Sequence, residues 1–538
     1  MNSYHRFPLW INTVCIGLLF LTGSLINLHY SHMGFMPLDQ SIVFDGAWRV
    51  LTGQIPYRDF TTPSGIIPIL IQAAMFAIFG VSWFSYCLHA AIVNGLFCLT
   101  AYYLLIQCGI SRPLSFFYAA LSGIVLYPPI GTPYPEQHAA FFLLVAIWLM
   151  TKACRAEGKG RVAIMWMSCS VFLFLCFLSK QNVALLGIFP LATGFFVFLH
   201  DKQSLFNGLK YTAVGIVICG LVAVLAAVIL KMDPSQIWVY GFMLPYQTIL
   251  TRLTTGDMVP FAAHDATIGS GMLWGRIAIV FSGVLFIFLS ALSRHRNTNI
   301  RRAVGQATVG FGMIIFCALL AETTSNQSAQ CYWFLFIAVG LAHAAILTVL
   351  PDRDHRITSL CVHIFFISLT LKGAYLFNNS VNETRIVHDI TFGETEIQRP
   401  MVPALKFMLH QSPIFYCVKA RDIDELARYF EINNGNFLLF GDTSILYAIT
   451  GRPSVFPALW YHNGLTTPEK DTEAFRRFNR NLKNNIRAYN VKYLVLEANG
   501  TWNGSKVSDF PAINELLLNR ITETQQIGPF RVLRLTNA

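Results

Sequence analysis

The sequence predicts a polytopic α-helical membrane protein with a C-terminal soluble α/β domain. Three observations carry this. Charged residues make up only 12% of the 538 residues, where a soluble protein carries about 25%. Apolar runs near span length recur through the first 377 residues. From about residue 378 the composition becomes ordinary for a soluble domain.

A window of about twenty residues places about eleven spans. They cover residues 9–30, 84–107, 113–128, 137–153, 162–179, 182–200, 211–230, 271–292, 303–321, 330–350 and 357–377. The first run is too long for a signal-peptide core and no small-residue cleavage site follows, so it reads as a retained span. The piece 66–80 is short and carries Pro68, which suits a re-entrant or interfacial helix. Counting it as a span would put the basic loops on the wrong side.

Charge sets the orientation. Arg112, Lys152, Arg155, Lys159, Arg161, Lys202, Lys210, Arg294, Arg296, Arg301, Arg302, Arg353 and Arg356 fall on one side. Cytoplasmic loops collect such residues, so the N-terminus is expected inside and the C-terminal tail outside. The net charge of +11 lies mostly in these short loops, which argues against nucleic acid as a partner. Most of the twelve cysteines lie in apolar runs as small hydrophobes, so no disulfide framework is implied. The long outer loops are 31–65 and 231–270. Within the first, apolar Ile42, Val43, Ala47, Val50 and Leu51 recur at helical spacing, which predicts a helix on the membrane surface with Asp45 in solvent.

The tail reads as strands alternating with helices. Residues 436–442, 491–496 and 530–535 read as strands, and residues 443–450 and 471–489 as helices. The expected division is a membrane domain, 1–377, and an extracytoplasmic α/β domain, 378–538.

The chemistry gathers after the first span. Asp39 opens the amphipathic segment. Gly53-Gln-Ile-Pro-Tyr-Arg-Asp59 follows it, and Ala77-Ile-Phe-Gly80 ends the next apolar piece. In this order and spacing the stretch resembles the C-type (GT-C) membrane glycosyltransferases. The nearest group contains the protein mannosyltransferases, aminoarabinose transferases and Rgt-type sugar transferases. One departure is Gln40, where many members carry a second acid.

The resemblance implies sugar transfer from a polyprenyl-phosphate donor to a lipid, glycan or protein acceptor, on the outer face of the cytoplasmic (inner) membrane. It makes Asp39 the base for the acceptor hydroxyl. From the residues alone, Asp39 reads first as a cap of the helix that follows, and the resemblance reverses that. Tyr57, Arg58 and Asp59 are candidate substrate contacts. Arg58 offers a guanidinium fork for phosphate, or pairs with Asp59 or lipid headgroups. Glu136 and His138, in Tyr134-Pro-Glu-Gln-His138, open the fourth span. They are a second acid and its companion, or merely a helix start.

Lys180-Gln181 separates two apolar runs with no room for a loop. A lysine there either meets the carrier phosphate or snorkels to the headgroups. Arg252, in the 231–270 loop, is a further phosphate candidate. A Mg²⁺ or Mn²⁺ ion bridging Asp39 and a phosphate is compatible with these residues. Two other classes fit parts of the pattern: a polyprenyl-linked polysaccharide polymerase or ligase, and a lipid or sugar transporter. The near absence of charge within the spans disfavours the transporter.

Overall fold

A computed structural model describes residues 9–31, 35, 37–128, 131–198, 202–247, 250, 298–323, 332–350, 356–384, 396–402, 405–406, 418–498, 500–501, 504–518 and 521–536. The N-terminal part is helical: α1 (Leu9–Ser31), α2 (Pro37–Leu51), α3 (Ile67–Phe79), α4 (Trp83–Gln107), α5 (Arg112–Val125), α6 (Pro135–Ala153), α7 (Lys159–Ser179), α8 (Gln181–Leu186), α9 (Ile188–Phe198), α10 (Lys202–Ile229) and α11 (Pro234–Trp238). A π-helical turn, Val239–Met243, follows α11. Then come α12 (Thr298–Thr323), α13 (Leu335–Val349) and α14 (Arg356–Thr384).

Six of these helices are long and apolar enough to cross a membrane, among the described residues. Several of the others run short. α5 has 14 residues, and the expected span 182–200 divides into α8 and α9 at Gly187. The expected span 271–292 lies outside the described residues. The piece 66–80 forms α3 with Pro68 in its first turn, where a missing N–H costs nothing. The expected boundary at 378 falls within α14, which continues to Thr384.

The C-terminal part begins with the short pair β1 (Glu396–Ile397) and β2 (Leu405–Lys406), then α15 (Ala420–Ile432), β3 (Asn436–Phe440), α16 (Ile445–Ile449), α17 (Glu473–Ala488), β4 (Val491–Glu497), α18 (Pro511–Leu517), β5 (Ile521–Ile527) and β6 (Phe530–Leu535). The four-stranded sheet has the order β3-β4-β6-β5, with β3 and β4 parallel and the other pairs antiparallel. Leu438, Leu494 and Leu533 stand in register and are buried on one face, and Leu439, Val495 and Val532 are buried on the other, so both faces are covered. At the carboxyl end of β4, buried Glu497 accepts hydrogen bonds from the Asp442 N–H (3.0 Å), the Thr443 N–H (3.3 Å) and the Thr443 hydroxyl (3.2 Å). Burial, then the nearby Asp442 carboxylate, pushes the Glu497 carboxyl up to about 8.

One apolar core runs from the first loop into the C-terminal part. Phe44, Phe76 and Trp83 share it with Ile423, Phe430, Phe437 and Tyr447. α2 therefore does not present a whole face to solvent. It lies between α3 and α16 with most of its residues buried.

Asp45 is correspondingly not solvated. It is fully buried and its carboxylate bonds Arg49 Nε at 2.8 Å and the Ser454 hydroxyl. Arg49 in turn donates to the carbonyls of Phe456 (2.7 Å) and Ala458 (3.3 Å). Burial raises the Asp45 carboxyl pKa, and the Arg49 charge opposes this. Trp48 Nε1 donates to the Arg452 carbonyl, and Gln54 to that of Ser454. A buried ion pair survives only with such extra partners, so these contacts fix the first loop onto residues 452–458.

Candidate active site

α2 begins at Pro37, which puts Asp39 in its first turn, where a carboxylate meets the positive end of the helix dipole. The side chain is half-buried. Its Oδ1 accepts from the Tyr134 hydroxyl at 3.3 Å. Tyr134 immediately precedes α6, so the same short segment carries Glu136 in that helix's first turn. The start of α2 and the segment before α6 thus converge through one tyrosine.

Lys180 completes the cluster. α7 ends before it and α8 begins after it, leaving Lys180 in an extended conformation (φ −158°, ψ 118°). Its Nζ lies 2.8 Å from Glu136 Oε1 and donates to Ser64 Oγ at 3.4 Å. The side chains are 24% and 11% exposed, so the pair sits at the edge of solvent, where a fixed cation keeps much of its strength. Glu136 Oε2 is buried with no hydrogen-bond partner among the described residues. Gly65 brings the loop in: its N–H donates to the Ser179 carbonyl at 3.0 Å. A Cβ there would lie 1.6 Å from the Leu178 carbonyl oxygen, so only glycine fits.

The other sequence-predicted residues fall elsewhere. Tyr57 is buried, with φ +58°, and its hydroxyl donates to the Thr62 carbonyl at 3.1 Å. Burial raises its phenol pKa. Asp59 accepts from the Ile55 N–H at 2.8 Å and from Arg58 at 2.7 Å. The Asp59 carboxylate thus closes the turn back onto Ile55 and pairs with Arg58. Arg58 projects to solvent, and its bond to Asp59 raises its pKa. Gln181 donates to the Gly241 carbonyl at 3.0 Å, tying the lysine segment to the π-helical turn.

His138 turns away from Glu136, because residues two apart point to nearly opposite sides of a helix. It is fully buried and bonds the Tyr127 hydroxyl, and its Nε2 lies 2.8 Å from His89 Nε2. His89 Nδ1 lies 2.9 Å from Gln72 Oε1. Two imidazoles facing through Nε2 share one proton, so both cannot be charged. Arg252 lies outside the described residues. Sequence reasoning missed Ser64, Tyr134 and His89. A histidine within an apolar span is the signal that could have flagged His89.

Among the described residues no three His, Cys, Asp or Glu side chains converge as a metal site. No family model and no curated protein matches the chain. Solved structures do. ArnT from Cupriavidus metallidurans, in a crystal structure bound to undecaprenyl phosphate, gives a TM-score of 0.51 at 10% identity, covering 97% of this chain and 98% of its own. The arabinofuranosyltransferase AftD from Mycobacteria gives 0.51 at 13% identity, covering 97% of this chain and 40% of AftD. The chain has the GT-C fold. With its apolar helices, this fold makes the chain a multi-pass membrane protein. Asp39, through Tyr134, and Lys180, through Glu136, thus both meet the start of α6.

Proposed function

We propose that the chain transfers a sugar from a polyprenyl-phosphate carrier to an acceptor hydroxyl, on the extracytoplasmic face of the cytoplasmic membrane. The observation that carries this reading is the meeting of Lys180, Glu136 and Asp39 through Tyr134 and Ser64. The fold shared with ArnT, solved with undecaprenyl phosphate, supports the carrier class. The acceptor is a lipid, a glycan or a protein. The N-terminus is cytoplasmic, residues 1–377 form the membrane domain, and residues 378–538 lie outside.

In this mechanism Asp39 takes the proton of the acceptor hydroxyl. The acceptor oxygen attacks the anomeric carbon from the face opposite the phosphate, and the configuration inverts. The bond between that carbon and the phosphate oxygen breaks, and both its electrons leave with the phosphate. Lys180 receives the added negative charge at the edge of solvent, without reorganising. Glu136 holds the ammonium in place.

Among the described residues there is no closed cation cage. Asp39 is the carboxylate that a Mg²⁺ or Mn²⁺ ion shared with substrate phosphate would use, because Glu136 is neutralised by Lys180. Such an ion would neutralise phosphate charge. No step above depends on it.

The test compares wild type with Asp39→Asn at matched expression. Both are incubated in detergent with a panel of polyprenyl-phosphate sugars and acceptors, and release of polyprenyl phosphate is followed. Turnover that vanishes in the variant supports the reading. Turnover that survives moves the base to another acid, with Glu136 next. No turnover by wild type with carriers of several lengths overturns the transferase.

A further inference from the structure

A cavity of about 170 Å³ opens between the first loop, α11 and α17. Arg58, Thr61, Gln236, Tyr240, Arg477 and Asn481 are among its lining residues. It adjoins the site on two sides. Thr61 lies three residues before Ser64, the hydroxyl that meets Lys180, a distance of at most ~10 Å along extended chain. Tyr240 precedes Gly241, whose carbonyl holds Gln181.

The charges around this cavity are already matched. Arg58 pairs with Asp59 at 2.7 Å and Arg477 with Asp233 at 3.5 Å. Glu473, also on the rim, pairs with Arg476 and Arg480. The unspent hydrogen-bonding capacity belongs to two neutral amides. Gln236 is 9% exposed, and neither its side chain nor that of Asn481 has a partner among the described residues. Both amides line the cavity, where they can meet whatever occupies it. An amide offers a donor pair and an acceptor together, which matches hydroxyls that both give and take. A phosphate calls for an uncommitted cation, and the arginines here are already paired. Tyr240 and the wall residue Phe478 supply apolar surface for a ring face. The volume is below the ~300 Å³ where drug-sized pockets begin, which suits a single small ring.

We propose that this cavity holds one neutral sugar ring of the acceptor, which makes the acceptor a glycan. The assignment to the acceptor rests on the transferase reading above, while the binding itself does not. The test titrates free glucose, galactose, mannose, N-acetylglucosamine and arabinose into the full chain in detergent, without donor, by saturation-transfer NMR. Inorganic phosphate is added as a competitor. Gln236→Leu and Asn481→Ala are measured beside wild type, with melting temperatures to establish that they fold.

At least one sugar is expected to bind wild type in the millimolar range. Each folded variant should bind it about three- to tenfold more weakly, the worth of one hydrogen bond. In turnover the same variants should raise KM for a glycan acceptor and leave kcat near wild type. Absence of sugar binding, equal binding by both variants, or displacement by phosphate would overturn the proposal. Because binding is read without donor or turnover, failure of the Asp39 test leaves this result intact. Loss of sugar binding, conversely, leaves the transferase reading intact.

Discussion

Replacing Arg49 by alanine would strip a buried carboxylate of its cation. Asp45 is fully buried, and its remaining partner is the Ser454 hydroxyl. The carbonyls of Phe456 and Ala458 lose their donor in the same step. Breaking a buried pair from one side costs about 3–5 kcal/mol. At about 1.4 kcal/mol per factor of ten, local opening becomes roughly a hundred- to several-thousand-fold more frequent. The assay is amide hydrogen exchange of residues 452–458 in the full chain in detergent. Arg49→Ala should accelerate exchange there, while the sheet centre at Leu494 changes far less. Asp45→Ala combined with Arg49→Ala should recover much of the loss, because no charge is left buried. Acceleration under about threefold, against the cost expected of a broken buried pair, would refute the reasoning. So would a double variant as damaged as the sum of the two singles.

Other outcomes follow from the site and the sheet. Lys180→Gln should lower kcat by about a hundred- to thousandfold, as loss of a charge-stabilising donor does, in the polyprenyl-phosphate release assay. Adding Glu136→Gln should restore melting temperature but not turnover. Folded Glu497 holds its proton to about 8, against 4.5 for an ordinary glutamate, so folding takes up a proton between those values. Its stabilising contribution is complete below pH 4.5 and is lost as pH rises through 8, and Glu497→Gln should flatten that part of a melting-temperature profile. His138→Phe leaves His89 Nε2 unpartnered and should cost about 1–3 kcal/mol, seen as a lower thermal midpoint. Turnover should persist if the imidazole pair is structural.

The readable parts of the sequence were those with local signals. β6 runs over Phe530–Leu535 as its apolar alternation predicts. β4 and α17 lie within a residue or two of their expected bounds. β5 was illegible because Thr-Glu-Thr-Gln-Gln is polar on both faces and exposed, an edge strand with no buried stripe. α15 was missed although Ile423, Leu426, Ala427 and Phe430 recur at helical spacing. Asp39, Glu136 and Lys180 could be singled out because ionisable groups at the ends of apolar runs are conspicuous. What joins them could not. Tyr134 to Asp39 spans 95 residues, and Lys180 to Ser64 spans 116. The misreading of Asp45 has the same origin. An acid on an amphipathic helix looks solvated until a segment 409 residues away covers it.

Gly65 sets a clearance. The contact that admits it leaves no room for even a methyl group against the Leu178 carbonyl, and the next residue back is the one whose hydroxyl meets the Lys180 ammonium. The reach of that ammonium is therefore gauged by the smallest side chain available. Any larger residue at 65 would act as a spacer, levering the loop off the end of α7 and drawing Ser64 out of range, without altering a single group that takes part in the chemistry.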